Sequence, residues 1–185
     1  WGTDFVIATE RAEFPDRQIS RWETSKSTLI FERALIGDVA WQRTPSGLRL
    51  LTQTELTRAK LEFRGDEVLL TPETFYSSMT VDNTNVDIGG ASTTRLILDG
   101  PMGRSTQYFS NDSGLLLRKE ELTLIDAKEV RASMDFNDYR DQGGLLVPHV
   151  LRIVADERTF SFDMIDTKFN VAFPVETFLV PNDVK

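Results

Sequence analysis

The chain has 185 residues, enough to bury one substantial core, so a single domain spanning 1–185 is expected. Forty per cent apolar and 27% charged residues place it outside the disordered regime, and a net charge of -8 with a pI near 4.8 argues against nucleic acid or an anionic membrane surface as main partner. Cysteine is absent, which excludes disulfides, thiol catalysis and Cys-ligated metal centres, and no apolar run reaches the 18 residues of a membrane-spanning helix.

The first residue is Trp, so a processed chain or an excised segment is expected, with any signal peptide already removed. From Thr3, "TDFVIATERAEF", "ISRWET", "STLIFERALIGDVAWQR" and "GLRLL" read as four or five strands. Pro15, Asp16, Gly37, Asp38 and the Pro45-Ser46-Gly47 turn separate them. Helix enters next: Thr52 followed by Glu55 fits a capping box, and Leu56, Ala59 and Phe63 fall on one helical face until Gly65. A second short helix is expected from Thr71, with Pro72 in its first turn, through Phe75 and Met79. The polar, Gly-rich stretch 80–92, "TVDNTNVDIGGAS", reads as a loop.

Strands then return. "STQYFSNDSGLLLRKE" is a hairpin with Asn111, Asp112 and Ser113 in its turn and Gly114 after them. "VRASMDF" sets Val130, Ala132, Met134 and Phe136 on one face and Arg131, Ser133 and Asp135 on the other. "NDYRDQGGLLVPHVLRI" is a second hairpin, turning at Gln142-Gly143-Gly144. Its Pro148 lacks an N–H and so belongs at a strand start, a bulge or an edge. "TFSFDM" repeats the alternation, with Phe160, Phe162 and Met164 on one side.

About ten strands with apolar faces stand against two short helices. Such a sheet must curl around something: its own 12 Phe and Leu/Ile side chains, a lipid-like ligand, or another polypeptide. Catalytic chemistry finds no anchor. His149 is the lone histidine, without a G-x-S-x-G, an H-E-x-x-H or a second His, and reads as a structural or surface residue. "DNTNVDIGG" from Asp82 imitates a calcium loop, but Val86 and Asp87 stand where an oxygen ligand and Gly are required. The pairs Glu120-Glu121 and Asp156-Glu157 imitate catalytic carboxylates, but adjacent strand residues point to opposite faces. Asn111-Asp112-Ser113 is a glycosylation sequon by pattern, and Trp1, Trp22 and Trp41 read as a stacking set or as core. No cofactor is expected.

Four segments, in order over about residues 34 to 181, resemble the LolA-like family of bacterial outer-membrane lipoprotein-sorting proteins. They are "ALIGDVAWQRTPSGLRLLTQTEL", "STQYFSNDSGLLLRKEE", "DYRDQGGLLVPHVLRI" and "KFNVAFPVETFLVP". The resemblance implies an incomplete barrel of strongly curved antiparallel strands with one or two short helices in its mouth. It also implies a place in the bacterial periplasm or cell envelope, and an apolar concavity that grips acyl chains.

These readings converge on a mainly β, non-enzymatic binding domain for a lipid acyl chain or lipoprotein. The alternative is a structural or interaction subunit of an envelope protein complex, with a protein partner covering the sheet. The residues expected on the inner apolar face are Leu29, Phe31, Trp41, Leu50, Phe136, Phe160 and Phe162, either as ligand contacts or as self-filling core.

Overall fold

Alternating side chains lay down twelve antiparallel strands in a computed structural model that describes residues 6–13, 16–63, 72–101, 103–125 and 128–182. They form two open sheets, neither closed on itself, within two compact units: residues 1–71 with 172–185, and residues 72–171. The chain is mainly β as the alternation predicts, and the antiparallel pairing agrees with an incomplete barrel. Trp1, Thr3, Pro15, Gly65 and Thr71 lie outside the described residues.

The first unit holds β1 (Val6–Glu13), β2 (Arg17–Thr24), β3 (Leu29–Ile36), β4 (Val39–Thr44) and β5 (Gly47–Leu50), paired in chain order. Both faces of this sheet are covered by its own chain. On one, Ile19, Ala34 and Trp41 pack against Phe178, with Ile36, Leu48 and Phe173 around them. Phe178 ends a 3-10 turn over Val175–Phe178, and its ring meets that of Phe173 edge to face at 5.3 Å. On the other, helix α1 (Gln53–Phe63) seats Ala59 and Leu56 on the cross-strand pair Leu35 and Ala40.

The expected capping box starts α1. Thr52 N–H donates to Glu55 Oε2 at 2.8 Å, and Glu55 N–H donates back to Thr52 Oγ1 at 3.4 Å. Arg49 closes on the same carboxylate through two bonds of 2.9 and 2.8 Å.

The second unit begins with α2 (Pro72–Phe75) and continues as a meander. Its strands are β6 (Ser78–Ile88), β7 (Ala91–Gly100), β8 (Gly103–Ser110), β9 (Leu116–Ile125), β10 (Lys128–Gln142), β11 (Leu145–Ala155) and β12 (Arg158–Asp163). The sheet order is β12-β11-β10-β9-β8-β7-β6.

Two expectations fail here. The second helix stops at Phe75 instead of running to Met79, because Ser77 N–H and Oγ both donate to Asp99 O and draw the chain into pairing with β7. Gly100, beside that carbonyl, lies against the Tyr76 ring; a Cβ there would come within 2.8 Å of Tyr76 Cδ1. Stretch 80–92 is likewise no loop: it is most of edge strand β6, a turn at Gly89-Gly90 with φ of 62° and 89°, and the start of β7. Between Asp82 and Val86 the strand carries two residues more than β7, and its apolar residues change faces across that irregularity, Met79 and Val81 on one side and Val86 and Ile88 on the other, so no single period-two pattern shows in the sequence.

Arg49 foremost, then the Thr52 N–H, holds the Glu55 carboxyl at about 2, below the ordinary 4.5. A depressed carboxyl stabilises the fold fully above the ordinary value and loses that contribution as pH falls from 4.5 through 2. The group is solvent-accessible, so the effect is small and salt-sensitive. Thermal unfolding of Glu55→Gln against the parent should therefore show a gap that is present at neutral pH and narrows progressively as the medium is acidified below 4.5. A gap unchanged down to pH 2 would contradict the pairing.

Candidate functional site

The seven-stranded sheet separates two chemistries on its faces. Register places Phe136 opposite Leu151 and Leu151 opposite Phe162; one pair along, Met134 faces Ile153 and Ile153 faces Phe160. These six side chains form an apolar block across β10, β11 and β12, with Ala132 and Ala155 buried at its inner end. Phe160, on edge strand β12, stays 40% exposed.

The same face carries a polar island. Lys119 Nζ pairs with Glu121 Oε2 at 2.7 Å; Lys119 stands between Gln107 on β8 and Met134 on β10. Buried Ser105 pairs with buried Leu98 across β7 and β8, and its hydroxyl has no hydrogen-bond partner among the described residues. Nearby, burial foremost and the Glu121 charge second push the Tyr76 phenol up.

The opposite face is crossed by one row of charges. Asp82, Arg95, Tyr108, Arg118, Asp135 and Arg152 face one another in direct register from β6 to β11. Arg95 pairs with Asp82, Tyr108 Oη donates to Glu120 Oε2 at 3.2 Å, and Arg118 Nε donates to Asp135 Oδ1 at 2.6 Å. Burial and then the Glu120 charge raise the Tyr108 phenol, so it stays protonated and donates. Glu120 and Glu121 thus serve opposite faces, as adjacent strand residues must. Asp156 and Glu157 form the exposed β11–β12 turn.

Of the residues expected on the inner face, Phe136, Phe160 and Phe162 are brought together. In the first unit the expected set divides. Phe31 shares the face that bears Leu35 and α1 and stacks there on Trp22 with ring centroids 5.1 Å apart, whereas Leu29, beyond a register shift, pairs with Glu23. Trp41 and Leu50 are a cross-strand pair on the other face. Trp41 is 3% exposed and sealed by Phe178, whereas Leu50 is 43% exposed. Sequence reading missed Lys119, Gln107 and the charged row, and weighed Glu121 only as half of an adjacent carboxylate pair; the run "LLLRKEEL" held the signal for Lys119 and Glu121.

His149 is buried and hydrogen-bonded at both ring nitrogens. Nδ1 lies 2.9 Å from the Met164 carbonyl and so donates; Nε2, 3.0 Å from Gln142 Nε2, then accepts. With both nitrogens engaged, the ring is structural.

No family model matches the chain, and no curated protein matches it. Solved structures do. LolA superfamily protein NE2245 from Nitrosomonas europaea is similar at a TM-score of 0.55 and 12% identity, over 95% of this chain and 86% of that one. A domain from Vibrio parahaemolyticus assigned as an outer membrane lipoprotein-sorting protein is similar at 0.58 and 11%, over 96% and 82%. A DUF1329 family protein from Desulfovibrio piger is similar at 0.58 and 12%, over 94% and 80%. At such identities the likeness concerns the fold alone, and the fold is LolA-like.

The contrast within the cross-strand pair is measurable. Trp41→Ala should lower unfolding free energy by about 3–5 kcal/mol in urea titration, by leaving a cavity in a closed core. Leu50→Ala should lower it by less than about 1 kcal/mol, because its side chain already meets water. Equal losses would contradict the placement of Trp41 as core.

Proposed function

We propose that this chain, as a single LolA-like domain over 1–185, is a non-enzymatic component of the bacterial periplasm or cell envelope. In this reading its apolar sheet face binds an acyl chain of a lipid or lipoprotein. The observation that carries the reading is the block of Phe136, Met134, Leu151, Ile153, Phe160 and Phe162 on one face, with Phe160 partly open to solvent. An exposed, contiguous apolar surface is retained in a folded protein mainly where something uses it.

Energetics support the assignment. Each methylene withdrawn from water contributes about 0.8 kcal/mol, so an acyl chain laid along three strands gains usable affinity without any charged contact. The lipoprotein-sorting assignment of the Vibrio parahaemolyticus domain supports the ligand class, and the coverage of 94–96% of this chain by three structures supports treating it as one domain. Within the first unit, taken by itself, partly buried Leu29 and Phe31 and exposed Leu50 are proposed as acyl-chain contacts of that unit's own sheet, and Trp41 as a core support for Leu50.

A second reading, an interaction subunit of an envelope complex, is favoured by β1. This edge strand is exposed over nearly its whole length and offers a free row of backbone groups to a partner strand.

Native mass spectrometry of the gently purified protein, followed by solvent extraction, separates the two. A stoichiometric lipid or acylated peptide is expected; co-purifying protein without lipid would replace the first reading by the second. Phe160→Glu should fold, because the side chain lies at a sheet edge, and should lose binding of a fluorescent fatty acid. Undiminished fatty-acid binding by that folded variant would overturn the proposed surface.

A further inference from the structure

A cleft of about 280 Å³ opens on the charged face of the second unit's sheet, away from the apolar block. Two irregularities build it. The bulged β6 ends in the Gly89-Gly90 turn, and this hairpin end supplies Ile88, Gly89 and Ala91 to one wall. The β8–β9 register shifts between Tyr108 and Phe109: Tyr108 pairs with Arg118 but Phe109 with Leu116, which leaves Leu117 as the extra residue. Leu117 therefore joins its neighbour Arg118 in lining the cleft, where strict alternation would have sent the two to opposite faces. Asp135 and Asn137 on β10 complete it.

The hydrogen-bonding capacity of these residues is not used up. Arg118 commits Nε to Asp135 Oδ1, and among the described residues neither terminal guanidinium nitrogen has a partner. Asp135 Oδ2 and the exposed Asn137 amide are likewise without hydrogen-bond partners among the described residues. Paired donors, an acceptor and a group that is both thus converge beside the apolar side chains Ile88, Ala91 and Leu117.

Charge narrows the ligand class. Arg118 is already compensated by Asp135 and by the nearby Glu120, and Asp135 faces Arg152 on its other side. The row is balanced, so neither an anion nor a cation gains a net field on entering. The strands that carry Arg118, Asp135 and Asn137 offer a peptide backbone no ladder to join, because β9 and β10 are paired with each other and with β8 and β11. We infer that the cleft is a second binding site and that its ligand is a neutral pyranose, free or at the end of a glycan chain. Vicinal hydroxyls of such a ring bridge the Arg118 fork, Asp135 and Asn137, while its C–H face lies on Leu117 and Ile88. The volume admits one sugar ring and suits it poorly to a long chain.

The test is titration of the isotope-labelled protein, monitored through its amide resonances, with methyl glucoside, methyl galactoside, cellobiose, glucuronate and acetate. Saturable shifts at residues 88–91, 117–118 and 135–137 with neutral sugars in the millimolar range are expected. Asn137→Ala, which removes an exposed side chain with no described partner, should weaken binding about tenfold while leaving the rest of the spectrum in place. Ala91→Leu should fill the cleft and abolish the shifts. Tighter binding of cellobiose than of methyl glucoside would identify a glycan end as the source, and equal binding a free sugar. Stronger binding of glucuronate or acetate, shifts confined to other residues, or no saturable shift up to tens of millimolar would overturn the inference.

Discussion

The row of alternating charges through Asp82, Arg95, Tyr108, Arg118, Asp135 and Arg152 fixes the register on which the larger sheet depends. Partly exposed cross-strand pairs of this kind contribute only about 0.2–1 kcal/mol each. Their leverage lies in the alternative. Because side chains alternate with period two, a slip of β10 by one residue would carry Asp135 to the side now held by Met134 and Phe136. A carboxylate stranded among apolar side chains costs several kcal/mol, far above the worth of the pair itself. The row thus acts by making wrong pairings expensive, and the aromatic block on the other face is its counterpart. Lys119 and Glu121 are tolerated within that apolar face because they neutralise each other at 2.7 Å.

The β10–β11 hairpin keeps one register throughout, with a local backbone irregularity near its middle. Asp138, with a positive φ of 51°, sits where the β10–β11 pairing passes from Asn137–Val150 to Tyr139–Pro148. Pro148 has no N–H to give to a ladder, and it stands in unbroken register opposite Tyr139, the residue next to Asp138. Regular alternation puts Gln142, which pairs with Leu145, on the side of His149, so the only histidine finds a side-chain partner on its own hairpin and a carbonyl at Met164. Burying an imidazole among apolar residues is tolerable only when both nitrogens are satisfied, as here.

What the sequence revealed follows from the same physics. Segments with clean alternation, such as "VRASMDF" and "TFSFDM", were legible as strands and even as faces, since pleat geometry alone fixes which residues share a side. The Thr52–Glu55 box was legible because its partners are three residues apart. Stretch 80–92 was not, because Met79 and Val81 take one face of β6 and Val86 and Ile88 the other, so its apolar residues follow no single parity. The first-unit site residues divide between two faces for a different reason. The two-residue turn at Gly37-Asp38 makes odd residues of β3 share a side with even residues of β4, so Phe31 and Trp41 are parted. That arithmetic was available in the sequence once the hairpin was assumed. The cleft at Arg118 was not available, because it depends on bulges in two strands that do not touch.

The two sheets solve the problem of an apolar face differently, and the difference bears on function. In the first unit α1 covers one side and the segment around Phe173 and Phe178 the other, so aromatic residues such as Trp41 are spent on closing a core. In the second, the charged row keeps one face wet, and the aromatic residues gather on the other at the end bounded by edge strand β12. An edge strand is the least constrained place in a sheet to hold large apolar side chains, because its outer flank has no neighbouring strand to interlock with. Phe160 there can change its contacts without disturbing the register that the charges enforce several strands away. Recognition by such a surface is set by area and shape, which suits flexible hydrocarbon. The opposite face, held rigid by paired charges, suits a ligand recognised by fixed hydrogen-bond directions. The alternation that makes the strand therefore gives one sheet two surfaces of different chemistry, and the register shifts decide where the cleft on the polar one opens.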